Sequence, residues 1–194
     1  MIAGHFGLAA ALKSRETATP LWALMLATVW LDVVFMPLFL AHVETLKAVS
    51  GPPGAYGGAV IFADYTHSLI GAGALSAVLG LSAARLWGAR SGIVIGAVAV
   101  SHWILDLVTH RADMPILPGN LGDLPRLGLG LWRWPAASAA VELGLVVLGA
   151  ALYWNAARKA ARQAGRGAVL PAVVGGLAMT FGVLVLALDV FAAR

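Results

Sequence analysis

The sequence predicts an all-α integral membrane protein, a polytopic helical bundle of about five transmembrane helices with a short N-terminal helix, in one membrane domain over residues 1–194. Three observations lead there. Of the 194 residues, 60% are hydrophobic and only 11% charged, against roughly half and a quarter in soluble domains. A chain this short cannot bury so much apolar surface within itself. Its charges also gather in short clusters between apolar runs close to the roughly 20 residues that a hydrocarbon core requires.

The elements follow in order. Residues 2–12 read as a helix too brief to span. The spans fall at about 20–43, 64–87, 92–110, 135–156 and 169–191. Pro20, Pro135 and Pro171 stand near helix starts, where a missing N–H does little harm. Pro37 lies inside the first span and is expected to kink it. The stretch SGPPGAYGG at 50–58 is too rich in Gly and Pro to be helical throughout. The connection 111–134 is the longest, and is placed to fold back over the polar residues below. The patterns GAGALSA and GAVAV point to close helix packing. The N-terminus does not read as a cleaved signal peptide, because Lys13 and Arg15 follow the first apolar stretch rather than precede it.

The net charge of +4 does not indicate nucleic acid, since the basic residues form no stripe with interleaved aromatics. They do indicate an orientation. One side carries Lys13, Arg15, Arg85, Arg90, Arg158, Lys159, Arg162 and Arg166 against Glu16. The other carries Lys47, Arg111, Arg126, Arg133 and Arg194, nearly balanced by Glu44, Asp64, Asp113, Asp123 and Asp189. The positive-inside rule puts the first side, with the N-terminal segment, in the cytoplasm, and the C-terminus outside. Trp22, Trp87 and Trp154 then fall near the inner interface, with Trp132 and Trp134 near the outer one, as in an aromatic belt. Packing between helices is the alternative for each of them.

Ionisable groups within a bilayer are costly and need a reason. Those in or near the spans are Asp32, His67, His102, Asp106, His110 and Glu142, with His5 in the short helix. At about 100° per residue, His102, Asp106 and His110 lie within about 80° of one another on a single helix stripe. His102 and Asp106 are one turn apart, so an imidazole and a carboxylate can share one ion there; a plain hydrogen bond along the helix is the alternative. His110 is about 12 Å from His102 along the axis, better placed for a second ion, a substrate phosphate or a proton transfer. Asp32, His67 and Glu142 come from other segments at compatible depth in the outer half of the membrane. The chain has no cysteine, which excludes disulfides and thiolate ligation. A mixed His/Asp set suits zinc first, with manganese or iron as alternatives. Such an ion makes hydroxide available near neutral pH, and Glu142 is placed to act as general base or as a further ligand. His42 and Asp189 look interfacial and are assigned no chemistry.

The run GHFGLAAALK, the pair Leu31–Asp32, THSL at Thr66–Leu69, SHWILDLVTHRADMP and LGLGLW, in that order, resemble the YdjM-like family of bacterial inner-membrane metal-dependent hydrolases, whose namesake is LexA-regulated. The resemblance runs from about residue 3 to residue 155. It implies His5, Asp32, His67, His102 and Asp106 as the metal-site residues, together with the further histidine His110 and the acid Glu142. This chain departs from the family pattern at Val33 and Val34 after Asp32, at Ala63, Asp64 and Tyr65 before the THS, and at Arg133.

The expected function is hydrolysis of a lipid or lipid-linked substrate, in one form a phosphoester, from the non-cytoplasmic side, with Arg111 and Arg126 placed to receive an anionic head group. Two other classes compete. A cation or proton transporter needs the polar stripe to continue to the cytoplasmic side, where the spans carry almost no ionisable residues. A non-catalytic subunit, or a homo-oligomer, would use the Gly- and Ala-rich faces for packing on a partner. The bilayer itself is the one partner that every reading requires.

Overall fold

The computed structural model describes residues 2–16, 18–49 and 58–165, with isolated positions between 169 and 187. The protein is mostly helical: α1 (Ile2–Lys13), α2 (Leu21–Thr28), α3 (Trp30–Leu40), α4 (Leu69–Trp87), α5 (Ala89–Thr109) and α6 (Pro135–Gln163), with a small hairpin of β1 (Thr45–Ala48) and β2 (Ala59–Phe62). Among the described residues, three helices, α4, α5 and α6, are long and apolar enough to cross a membrane, and α2 with α3 makes up to four if that bent pair is one span. Most of the predicted span at 169–191, Asp189 and most of the 50–58 loop lie outside the described residues.

The outer surfaces of these helices are apolar. On α4 alone, Ile70, Val78, Leu81 and Leu86 are exposed, a surface that water would penalise and lipid accepts. Helix α5 is the most enclosed of the three, and it carries His102 and Asp106. It turns back from α4 at Gly88, whose φ of +87° is open to glycine at little cost. Small residues let α4 and α5 approach: a Cβ at Gly96 would meet the Ser76 carbonyl at 3.4 Å. Helix α1 is held tightly against α6, where a methyl on Gly7 would come 2.5 Å from the Leu145 carbonyl. That crossing fixes the height of His5.

The first predicted span is broken, and not at Pro37. Pro37 sits within an uninterrupted α3, while α2 and α3 meet at Val29 with a 53° bend. Thr28 supplies the reason. Its hydroxyl donates to the Met25 carbonyl (2.8 Å), and the Val29 amide turns to Leu26 instead. This kind of back-bonding competes with the helical ladder. The second predicted span starts later than expected, because Ser68 caps α4 by accepting from the Gly71 amide (3.1 Å). His67 is therefore a loop residue just ahead of the helix. Helix α6 runs on to Gln163, past the predicted end at 156.

The hairpin was not foreseen. Its antiparallel register sets Leu46 opposite Ile61. The 111–134 connection does fold back: its Pro115 and Ile116 carbonyls accept from the Leu69 and Ile70 amides, which are among the orphan donors of α4's first turn. Two apolar clusters flank the polar residues. Ala9, Leu24, Ala27, Ile95 and Val98 pack toward the basic end, and Leu31, Ala72, Trp103 and Met114 pack on the other side.

Candidate metal centre

Five of the predicted residues converge. His102 and Asp106 come from α5, Asp32 from the first turn of α3, His67 from the loop before α4, and His5 from α1. His102 Nε2 lies 2.9 Å from Asp106 Oδ2, 3.3 Å from His67 Nε2 and 3.7 Å from Asp32 Oδ1. His67 Nε2 lies 3.5 Å from Asp32 Oδ1 and 3.7 Å from Asp106 Oδ2. Tetrahedral ligands about 2.0–2.1 Å from a zinc ion stand about 3.3–3.4 Å from one another. Among the described residues, Asp32, His67 and His102 lie close enough to share such an ion, and His5, His102 and Asp106 form a second such group.

The outer hydrogen bonds orient the rings. His102 Nδ1 is 2.7 Å from the Thr28 carbonyl, which can only accept, so Nδ1 carries the proton and the Nε2 lone pair faces inward. Residues near the end of α2 have carbonyls without helical partners, so the break at Val29 frees the acceptor that His102 uses. His67 is set in the same way. Glu44, fully buried, accepts from the Tyr65 and Thr66 amides (2.8 Å each) and from the Thr66 hydroxyl (2.8 Å). With its proton so engaged, Thr66 Oγ1 accepts from His67 Nδ1 (2.9 Å). Two imidazole lone pairs and two carboxylates thus face one point. Such a set of acceptors repels itself unless a metal ion or a proton sits among them.

His110 ends α5 and leaves the helical path, with ψ of 150°. Its Nε2 lies 3.9 Å from Asp106 Oδ2, one helical turn back on the predicted stripe. Its Nδ1 donates to Asp113 Oδ1 (3.1 Å), and Asp113 Oδ2 accepts from the Ile61 amide (3.2 Å). The indole of Trp132 packs on the His110 ring at 4.2 Å.

A cavity of about 300 Å³ opens over these groups, lined by His5, Asp32, His67, Asp106 and His110 and walled by Phe35, Met36, Leu46, Ile61 and Trp132. No Lys or Arg lines it among the described residues. Arg126, expected to meet an anionic head group, instead grips Asp64 through both oxygens (2.6 and 2.9 Å). Its charge is held by that pair: the hydrogen bond it donates to Asp64 raises its pKa, outweighing the desolvation that lowers it. Arg111 does not line the cavity either. Glu142 is buried but is likewise absent from the lining. Its Oε1 accepts from the Gly4 amide (3.1 Å), a first-turn donor of α1, so this carboxylate ties α6 to the start of α1.

Sequence reasoning missed Glu44, Thr28, Thr66 and Asp113, and it put Trp132 in the aromatic belt. Asp113 and Thr66 had a local signal, three residues after His110 and one before His67. Glu44 had none, because its partners lie 21 and 22 residues on. Comparison of the chain with protein-family profiles, with curated proteins and with solved structures returns no match.

Proposed function

We propose that this protein is a membrane-embedded, metal-dependent hydrolase of the YdjM-like kind, acting on a lipid or lipid-linked ester, with a phosphoester as one form, from the non-cytoplasmic side of a bacterial inner membrane. In this reading five spans form the bundle, the N-terminal side is cytoplasmic and the C-terminus is not. One observation carries it: four donors from three separate segments meet at 2.9–3.7 Å beside a cavity. Asp32, His67, His102 and Asp106 would hold the ion, zinc by preference, manganese or iron otherwise. Bound there, a divalent ion supplies Lewis acidity and a water acidic enough to ionise near neutral pH.

The chain's own residues do the rest. Phe35, Met36, Leu46 and Ile61 take up hydrocarbon, and the exposure of Met36 and Leu46 continues that wall toward the lipid. The His110 Nε2 lone pair faces the cavity and accepts a proton from the attacking water. Asp113 stabilises the resulting imidazolium and later allows the proton to pass to the leaving group. The buried Trp132 Nε1 has no hydrogen-bond partner among the described residues, leaving one donor for the substrate. The apolar packing of Leu24, Ala27, Ile95 and Val98 toward the basic end opposes a transport path.

Metal analysis of purified protein tests the reading. Wild type should carry a transition metal that His102→Ala and Asp106→Ala lack. Equal content in all three ends the enzyme reading. Metal-loaded wild type should then release product from fluorogenic long-chain ester or phosphoester amphiphiles, and chelation should abolish that release.

A further inference from the structure

Asp32, His67 and His102 can hold an ion without His5, yet His5 is buried in the same cavity. It is 1% exposed, it lines the cavity wall, and neither ring nitrogen has a hydrogen-bond partner among the described residues. Polar atoms are rarely buried in that condition without a ligand to account for them. Its ring stacks on His102 at 4.2 Å, 11° from parallel, which holds it rigidly in place.

Asp106 shows where His5 is directed. Its two oxygens face different partners. Oδ2 meets His102 and His67, while Oδ1 lies 3.4 Å from His5 Nε2. An imidazole nitrogen has one lone pair. His102 has spent Nδ1 on Thr28 and turns Nε2 to the first set, so it has nothing left for a second cation. His5 and Asp106 Oδ1 do.

We propose that Asp106 bridges two divalent cations, the second held by His5 Nε2 and Asp106 Oδ1. The inference rests on the reading of the first site as a metal centre. Nitrogen and carboxylate donors suit zinc, manganese or iron at the second position. With only two side-chain ligands, that ion keeps open coordination positions toward the cavity, as catalytic rather than structural ions do. It is therefore the weaker and more exchangeable of the two. A carboxylate with one ion on each oxygen matches the two-metal arrangement that clamps both oxygens of a displacement reaction.

Equilibrium titration of full-length, detergent-purified apoprotein with Zn²⁺ tests this. Wild type should take up about two equivalents, one tight and one weaker, and His5→Ala about one, with the tight equivalent kept. Asp106→Asn should weaken both. Because His5 is buried and its variant can misfold, Mn²⁺-loaded wild type gives a second measurement. Its electron paramagnetic resonance spectrum at saturation should be that of an exchange-coupled pair. One equivalent in wild type and in His5→Ala alike, with an isolated-ion Mn²⁺ spectrum, overturns the second ion and leaves the first. No metal in wild type overturns both.

Discussion

Thr66 decides which nitrogen of His67 faces the cluster. Its hydroxyl proton goes to Glu44, its oxygen accepts from Nδ1, and Nε2 is left as the donor. Outer partners of this kind typically change metal affinity 10- to 100-fold when removed. Thr66→Val should therefore weaken zinc binding by about that factor in chelator competition, and Thr66→Ser should restore it. Equal affinity in Thr66→Val and wild type would deny the hydroxyl any orienting role. His110 and Asp113 make a second pair of the same design, which the proposed mechanism uses for proton transfer. His110→Gln should keep its metal while losing about 10²–10⁴-fold in turnover. A loss of metal together with activity would move His110 into the ligand set.

Among the elements, the bend between α2 and α3 matters most. It exposes the Thr28 carbonyl to His102 and brings Asp32 into the first turn of a new helix. Pro37 does not create this bend, although a proline is the usual suspect. Pro37→Ala should leave metal content unchanged, and a marked loss would return the kink to Pro37. At the basic end, Glu16 accepts from Arg90 (3.1 Å) and from the Ala18 and Thr19 amides. Desolvation pushes its pKa up, but those bonds outweigh it and hold the carboxyl below its usual value. A native-state pKa below the unfolded one gives stability that is present above the ordinary carboxylate range and lost as pH falls through the folded-state value. The melting temperature should fall over that acidic window, and less so for Glu16→Gln. The effect is small, about 1 kcal/mol or less, since the Arg90 side chain is 79% exposed. Helix α1 is positioned by close backbone contact with α6 and by the Gly4–Glu142 hydrogen bond. Gly149→Leu would drive a side chain into the Gly7 backbone and should lower both the melting temperature and the metal content.

For the whole molecule, the exposed faces of α4, α5 and α6 belong in lipid. The protein should remain in the membrane fraction after an alkaline wash and leave it only with detergent. The absence of cysteine gives a clean test of orientation. Leu121→Cys, on the exposed 111–134 connection, should react with an impermeant thiol reagent added to intact spheroplasts. Arg162→Cys, at the basic end, should react only after lysis. The reverse pattern would invert the topology.

Hydropathy by itself determined that this chain has helices long and apolar enough to cross a membrane, because apolar composition over some 20 residues is a local property. The stripe of His102 and Asp106 was legible for the same reason, since helical periodicity puts residues four apart on one face. Tertiary structure alone decided the rest. It carried His5 and Asp32 to within reach of that stripe, brought Glu44 under His67, and drew Arg126 away to Asp64 and Glu142 to the first turn of α1. Each of these depends on where a helix breaks or a loop returns. Such choices are made by competition among distant hydrogen-bond partners, a quantity that no short window of sequence contains.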